Sequence, residues 1–397
     1  MLLALTWVEA VEKLVFILPV ASCIYLAISC LWVRSFFLGQ ENSKNQGCFT
    51  PPVSILKPVK GLDPGAYENF ASFCQLDYPQ YEILFGVADP DDPVIPVIHK
   101  LMRDFPLKRI RLLTGVPRKL PNPKASTLLA LSKEAAHEIL VVSDSDIRVA
   151  PHYLKEVVAP LADPSVGLVT CAYRGVQPVT LTAKLEALHM GVTFLPEVVV
   201  ARRFLDMRFA LGATIALRRT DLEAVGGWQA TGHYLAEDSR LAVLMASSGK
   251  KVLLSHYICD TYLGFTTWRD QWHREVRWAR TNRVNRPREY PGIVLTFAIP
   301  LALVLLPVAP KSLVGWVVLA ATLVVRFLTA WFVAGYTRSN FLRRLVYLLP
   351  LRDLLSAFVW CAGIGGHKVR WRGQTLKLAG DGRILYSAPE IANTWIK

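Results

Sequence analysis

Ile139-Leu140-Val141-Val142-Ser143-Asp144-Ser145-Asp146 is the stretch from which the rest of the chain can be read. Its first five residues are apolar or small and strand-like. The last three alternate carboxylate, hydroxyl, carboxylate. Side chains on a strand alternate between faces, so Asp144 and Asp146 leave the same edge of the strand end and Ser145 the other. A strand that closes in this way presents both carboxylates at the carboxyl edge of a sheet, where open α/β sheets bind their ligands. Two facing carboxylates repel unless a cation or a donor lies between them, and a Mg2+ or Mn2+ ion bridging to a diphosphate satisfies both. Asp-x-Asp triplets also cap helices, so the surrounding chain has to carry the assignment.

Outward from this point, strand-like and helix-like runs alternate. Val53 to Val59, Tyr81 to Ala88, Ile110 to Gly115, Ile139 to Ser143 and Val166 to Ala172 read as strands. Ala66 to Gln75, Val94 to Phe105, Ala125 to Ala136 and His152 to Leu161 read as helices, with Pro64, Pro93, Pro123 and Pro151 near their starts, where proline is tolerated. This alternation predicts a mostly parallel sheet covered by helices, an α/β, Rossmann-like domain. It weakens after Tyr173, where Leu181 to Ala201 reads as a long helix, Phe209 to Leu217 as a strand and Leu235 to Ser247 as a helix.

The chain of 397 residues is 52% hydrophobic and 19% charged, too apolar for an ordinary soluble enzyme and too polar for a pure transporter bundle. Leu14 to Trp32 has the ~20 residues of a spanning helix and, with Glu9 and Glu12 ahead of it, reads as an uncleaved anchor rather than a signal sequence. A polar linker, Gln40 to Gln46, follows. Ile293 to Ala309 and Leu313 to Gly335, joined by Pro310-Lys311-Ser312, read as an antiparallel membrane hairpin. Leu345 to Gly366 contains Arg352 and Asp353 and is flanked by basic residues on both sides, so the positive-inside bias predicts an interfacial or re-entrant segment. Arg326, inside the third span, is expected to snorkel toward the interface. The net charge of +14 implies an anionic partner. Its arginines lie beside apolar segments and no nucleic-acid-binding signature appears, so membrane and substrate phosphates are expected and nucleic acid is not. The seven cysteines form no C-x-x-C pair, which predicts neither a disulfide framework nor a zinc site.

Other candidate groups fall at strand or helix ends. Asp89, Asp91 and Asp92 follow the second strand and either meet a base or ribose or cap a turn. Asp238 sits in an early helical turn beside Glu237, where an ionised carboxylate can take a proton from an attacking alcohol; an acidic residue at a helix amino terminus is also ordinary. His233 is the next candidate base. Thr266 to Asn285 reads as an interfacial helix in which Trp268, Trp272, Val276 and Ala279 recur at helical spacing, with Arg274, Arg277 and Arg280 on other faces.

Together these residues resemble the ceramide glucosyltransferase family, whose pattern is three separated aspartates followed by (Q/R)-x-x-R-W. The matching positions are Asp92, Asp144, Asp238 and Arg274-x-x-Arg277-Trp278, and the likeness extends to Ile55 to Pro64, Leu76 to Pro79, Asn122-Pro123-Lys124 and Ala236-Glu237-Asp238. The resemblance implies a GT-A catalytic domain facing the cytoplasm, a UDP-sugar donor, and inverting transfer of a hexose, glucose first, to the primary hydroxyl of a membrane lipid such as ceramide. By position it implies Asp238 as general base, Asp92, Asp144, Lys124, Arg274 and Arg277 toward the donor, Trp278 and His233 on the acceptor side, and Asp144 with Asp146 for a divalent cation, Mg2+ or Mn2+. Members from animals often have glycine where this chain has Asp146. Ser143 to Pro151, Leu168 to Gly175 and Gly212 to Arg219 are also similar to bacterial hopanoid-associated glycosyltransferases, which implies as an alternative a hopanoid acceptor, UDP-N-acetylglucosamine and a bacterial inner membrane.

The expected organisation is an anchor and linker over 1–47, a catalytic domain over 48–265, an interfacial helix over 266–292, a membrane hairpin with the interfacial segment over 293–366, and a basic tail over 367–397. A polysaccharide synthase requires more spans than these, and a non-catalytic scaffold has no need of the three aspartates together.

Overall fold

The computed structural model describes residues 2–43, 49–204, 207–308, 313–337 and 339–385. The linker around Lys44, the Pro310-Lys311-Ser312 turn and Arg338 lie outside them. The chain forms two compact units, one of Gln40–Thr180, Ala201–Thr266 and His367–Lys397, the other of Met1–Gly39, Leu181–Val200 and Thr267–Gly366. The long helix starting at Leu181, read as catalytic, thus clusters with the helical unit. The tail from His367 clusters with the sheet.

The sheet unit is built on β1 (Val53–Val59), β2 (Tyr81–Val87), β3 (Ile110–Leu113), β4 (Ile139–Ser143), β5 (Ile147–Arg148), β6 (Val166–Pro178), β7 (Thr214–Arg218) and β8 (Lys251–Gly264), in the order β3-β2-β1-β4-β7-β6-β8-β5. The strands β1 to β4 are mutually parallel, as are β6 and β8, while β7 runs antiparallel to both β4 and β6. The predicted α/β sheet is therefore present, and β7 reverses at the point where the regular alternation fails. In register, Ile55 lies beside Ile83 and Val141 and faces one apolar layer, whereas Leu56 lies beside Leu84 and Val142 and faces the other. Burial on both faces explains why these strands read as continuous apolar runs. The 14-residue β8 was not anticipated, although its burial alternates along most of its length and its sequence carries that signal weakly.

A second, three-stranded sheet of β9 (Lys368–Trp371), β10 (Gln374–Leu378) and β11 (Ile384–Leu385) closes this unit. Trp371 pairs with Gln374, so Arg372-Gly373 is a two-residue hairpin turn. Both residues have positive φ, 46° and 80°, as a type I′ turn requires.

Among the described residues of the helical unit, three helices are long and apolar enough to cross a membrane: Phe16–Gly39, Leu313–Tyr336 and Asn340–Ile364. The last includes the segment read as interfacial. The segment read as the first leg of the hairpin is instead broken, with Tyr290–Thr296 and Ala298–Pro307 bent by 79°. At 1.5 Å per residue its longer piece reaches about half of a ~30 Å hydrocarbon core.

Arg326 does not snorkel. Its Nε and Nη2 each lie 2.8 Å from the Asp353 carboxylate, and Nη2 also donates to the Thr193 hydroxyl at 2.9 Å. Arg352 forms the matching fork on Glu275, at 2.7 and 2.8 Å. All four side chains are buried, so the charges that argued against burial of this segment neutralise one another within the unit.

Candidate active site

The site in the sheet unit begins with strand ends. Asn122 caps the helix Pro123–Glu134 by accepting from the Ala125 N–H, and Pro123 occupies the first turn, where no hydrogen bond is lost. This cap places Lys124 with its Nζ 2.6 Å from Asp144 and 3.0 Å from Glu237. The Asn122 amide donates to the other Glu237 oxygen at 2.9 Å. Glu237 is thus buried and fully answered. Asp238, next along the chain, is half-buried and accepts only from the Ser239 N–H, at 2.7 Å, among the bonds of the described residues.

Gly212 lies between these groups. A Cβ on it would sit 3.0 Å from the Lys124 Nζ and 3.2 Å from an oxygen of each of Asp144 and Asp238. The glycine therefore lets the loop before β7 close against three charged groups at once, which shortens the expected strand from Phe209 to one beginning at Thr214.

The electrostatics follow from this crowding. Burial, then neighbouring Glu237, push the Asp238 carboxyl up to about 7, against the opposing effect of Lys124. Burial, Asp144 and Asp63 push Asp146 up to about 6, against Arg372. Burial works against the charge of Lys124, but Asp144, Glu237 and Asp238 outweigh it and hold the ammonium well above the ordinary lysine value. Lys57, in the middle of β1, donates to the Asp144 carbonyl at 3.0 Å, and burial lowers it to about 7 even with Asp144 and Asp146 nearby.

Sequence reasoning missed Arg372. Its guanidinium forks onto Asp63 at 2.6 and 2.9 Å and donates to Ser145 at 3.3 Å, so a residue read as part of a membrane-facing basic tail borders the Asp-x-Asp edge. The same small sheet holds the loop before Glu237, through Ile384 N–H to the His233 carbonyl at 2.8 Å and Leu235 N–H to the Gly382 carbonyl at 3.2 Å. The legible signal was Trp371-Arg372-Gly373-Gln374 between two alternating runs. His233 itself is exposed. Asp92 is buried, with one oxygen accepting from Gly61 N–H at 2.8 Å and the other from Val94 N–H at 3.0 Å, so it braces the ends of β1 and β2.

The remaining predicted residues belong to the helical unit. Thr267 caps the helix Trp268–Asn285. On it, Arg274 forks onto the buried carboxylate of Glu186, with Nε at 2.7 Å, while Arg277 and Trp278 are half-buried.

A parallel-centred sheet with Asp144 and Asp146 following its central strand β4, and with Asp144 and Asp238 gathered around Lys124, in a chain with membrane-length helices, is a glycosyltransferase of GT-A architecture. Within that class the chain belongs to glycosyl transferase family 21, whose model matches residues 14–384. Ceramide glucosyltransferase 3 of Caenorhabditis elegans is 25% identical over 345 residues, 84% of this chain and 74% of that protein. The ceramide glucosyltransferase of Candida albicans is 36% identical over 122 residues, 28% of this chain and 22% of its own. Among solved structures, the mannosyltransferase PcManGT from Pyrobaculum calidifontis, in complex with GDP-Man and Mn2+, aligns with a TM-score of 0.49 at 18% identity, covering 85% of this chain and 99% of that one.

Proposed function

We propose that this protein transfers a hexose, glucose in the first instance, from a UDP-sugar to the primary hydroxyl of ceramide in a membrane, with inversion at the anomeric carbon. The observation that carries the chemistry is Asp238, a carboxylate raised to about 7 and converging with Lys124 and Asp144 on Gly212. A base poised near neutrality suits proton removal from an alcohol. The ceramide assignment is supported by the relatives' names over most of their length.

In this mechanism the lipid hydroxyl attacks the anomeric carbon while Asp238 takes its proton. The bond from that carbon to the UDP oxygen breaks, and its electron pair leaves with UDP. Lys124 opposes the growing negative charge on the diphosphate. By motif, Arg274 and Arg277 are assigned to the diphosphate, Trp278 and His233 to the acceptor side and Asp92 to the nucleotide.

Asp144 and Asp146 fit a divalent cation: Asp146 is raised partly because Asp144 and Asp63 face it, a repulsion that an added positive charge relieves. Among the described residues no group of three His, Cys, Asp or Glu side chains could hold such an ion, so its remaining positions would fall to the donor diphosphate and water, a common arrangement for Mg2+. When bound, the cation would add Lewis-acid stabilisation of the leaving diphosphate.

The test is incubation of protein-containing membranes with labelled UDP-glucose or UDP-N-acetylglucosamine and either ceramide or a hopanoid polyol. Glucosylceramide is the expected product, lost in excess chelator and restored by Mg2+ or Mn2+. A hopanoid glycoside or a polymer as the only product overturns the acceptor assignment, and full activity without metal overturns the cation.

A further inference from the structure

The turn between β9 and β10 holds an arginine where the backbone suits glycine or asparagine. Arg372 has φ 46°, in the left-handed region that a type I′ turn normally fills with Asn or Gly. Such positions cluster at binding sites, where the surrounding structure holds a strained residue for its side chain. This side chain reaches the Asp-x-Asp edge of the same unit. It donates from both Nη atoms to Asp63, and from Nη2 to the hydroxyl of Ser145, which stands between Asp144 and Asp146.

These contacts use three of the five N–H groups that a guanidinium carries. The Nε–H and one Nη1–H have no partner among the described residues, and the side chain is 39% exposed, so a ligand can reach it. Two further cations point to the nature of that ligand. Arg118 donates to the Gln374 side chain on β10 at 3.4 Å, and Lys60, exposed just after β1, lies near both arginines. Burial, then the charges of Arg118 and Arg372, lower the Lys60 ammonium below the ordinary lysine value, with Asp92 and Asp89 opposing. Like charges crowded at an exposed edge repel, and an anion drawn among them relieves the repulsion. A guanidinium fork matches the paired oxygens of a phosphate.

We propose that Arg372 is a phosphate ligand of the donor site, delivered by the carboxy-terminal hairpin, with its remaining Nε–H and Nη1–H donating to the donor's diphosphate beside Asp144 and Asp146. This rests on the proposed UDP-sugar donor and adds a residue that the aspartate and Arg-x-x-Arg-Trp motifs do not contain. It gives the sheet unit a phosphate-binding arginine of its own, whereas Arg274 is forked onto Glu186.

The test is calorimetric binding of UDP, inorganic pyrophosphate and uridine to the full-length protein in micelles containing Mg2+. Arg372→Asn removes the guanidinium and leaves a residue suited to positive φ, so the thermal unfolding midpoint is expected to hold. The variant is expected to bind UDP and pyrophosphate about tenfold or more weakly, the scale of one lost charge-assisted hydrogen bond, with uridine unchanged. Arg372→Lys, which keeps a charge without the fork, is expected to fall between. Asp63→Asn separates a ligand from a brace. A purely structural ion pair loses UDP binding equally from either side, whereas release of the guanidinium to the diphosphate holds or tightens it. Equal weakening in Asp63→Asn and Arg372→Asn therefore overturns the proposal, as does a loss of uridine affinity that matches the loss for UDP. If UDP binds tightly and Arg372→Asn changes nothing, the donor reading stands and Arg372 is no ligand. If pyrophosphate binds through Arg372 and the uridine moiety adds nothing, the phosphate site stands and the UDP-sugar reading fails. Binding of neither by the wild-type protein removes both.

Discussion

Glu237 and Asp238 are neighbours of identical charge, and their surroundings give them different work. Glu237 is neutralised by Lys124 and Asn122, while Asp238 keeps a raised proton affinity because burial and Glu237 outweigh the same lysine. Asp238→Asn, which keeps the volume and removes the basicity, is expected to lower turnover by roughly 100-fold or more with UDP-sugar affinity retained. Parallel measurement of donor binding and glycolipid formation checks this. The pH dependence has a definite sign. A carboxyl raised to about 7 is protonated below that value and useless as a base, so kcat/KM for the lipid rises as pH rises through about 7 and falls away on the acid side. A flat profile across the neutral range moves the base elsewhere, with His233 the next candidate. At this scale the sequence singles out candidate residues but not their partners: the turn-capping alternative for Asp92 and the occupation of Arg274 by Glu186 depend on atoms far along the chain.

At the scale of elements, Arg352-Asp353 shows what a charged dipeptide inside an apolar helix is for. One residue faces Glu275 on the helix Trp268–Asn285 and the other faces Arg326 on the helix Leu313–Tyr336, so the pair ties three helices together. Removing one partner strands a buried charge. Arg326→Met alone is expected to destabilise the protein by about 3–5 kcal/mol, and Asp353→Leu alone by a similar amount, whereas the double variant recovers most of the loss because an apolar pair of similar volume carries no desolvation cost. Unfolding of the single and double variants in micelles gives the coupling directly. Additive losses would mean that the ion pair is incidental to the packing. Snorkelling was the natural reading of a lone arginine in a span, since its partner is 27 residues away on another helix.

At the scale of the molecule, the sheet unit contains both Gln40–Thr180 and the chain from His367 onward, so any membrane crossings between them are even in number. Three segments compete for those crossings: the bent pair from Tyr290 to Pro307, Leu313–Tyr336 and Asn340–Ile364. The bent pair and Leu313–Tyr336 crossing together would keep Arg343 and Arg344 on the side of the sheet unit, which the positive-inside bias favours if that side is the cytoplasm. Single cysteines at Leu313, Asn340 and Thr375, all exposed positions, decide the matter in sealed vesicles once the native cysteines are replaced. Asn340 and Thr375 are expected to label from the cytoplasmic side and Leu313 from the other. Labelling of Asn340 opposite to Thr375 would make Leu313–Tyr336 and Asn340–Ile364 the crossing pair and the bent pair re-entrant.

The amino-acid sequence by itself determined the strands β1 to β4 and the start of β6, the placing of Asp144 and Asp146 after β4, two of the membrane-length apolar helices and the family. Each depends on local periodicity or on short contiguous motifs, and both survive in one dimension. Only the tertiary structure decided that Gly212 brings Lys124, Asp144 and Asp238 together, that Arg372 folds back from the carboxyl-terminal hairpin onto Asp63, and that the charges of the helical unit are paired. Those contacts join residues from 20 to more than 300 positions apart, and an electrostatic or steric match at such separation leaves no local pattern. A buried arginine and an exposed one are written with the same letter until the carboxylate beside it is known.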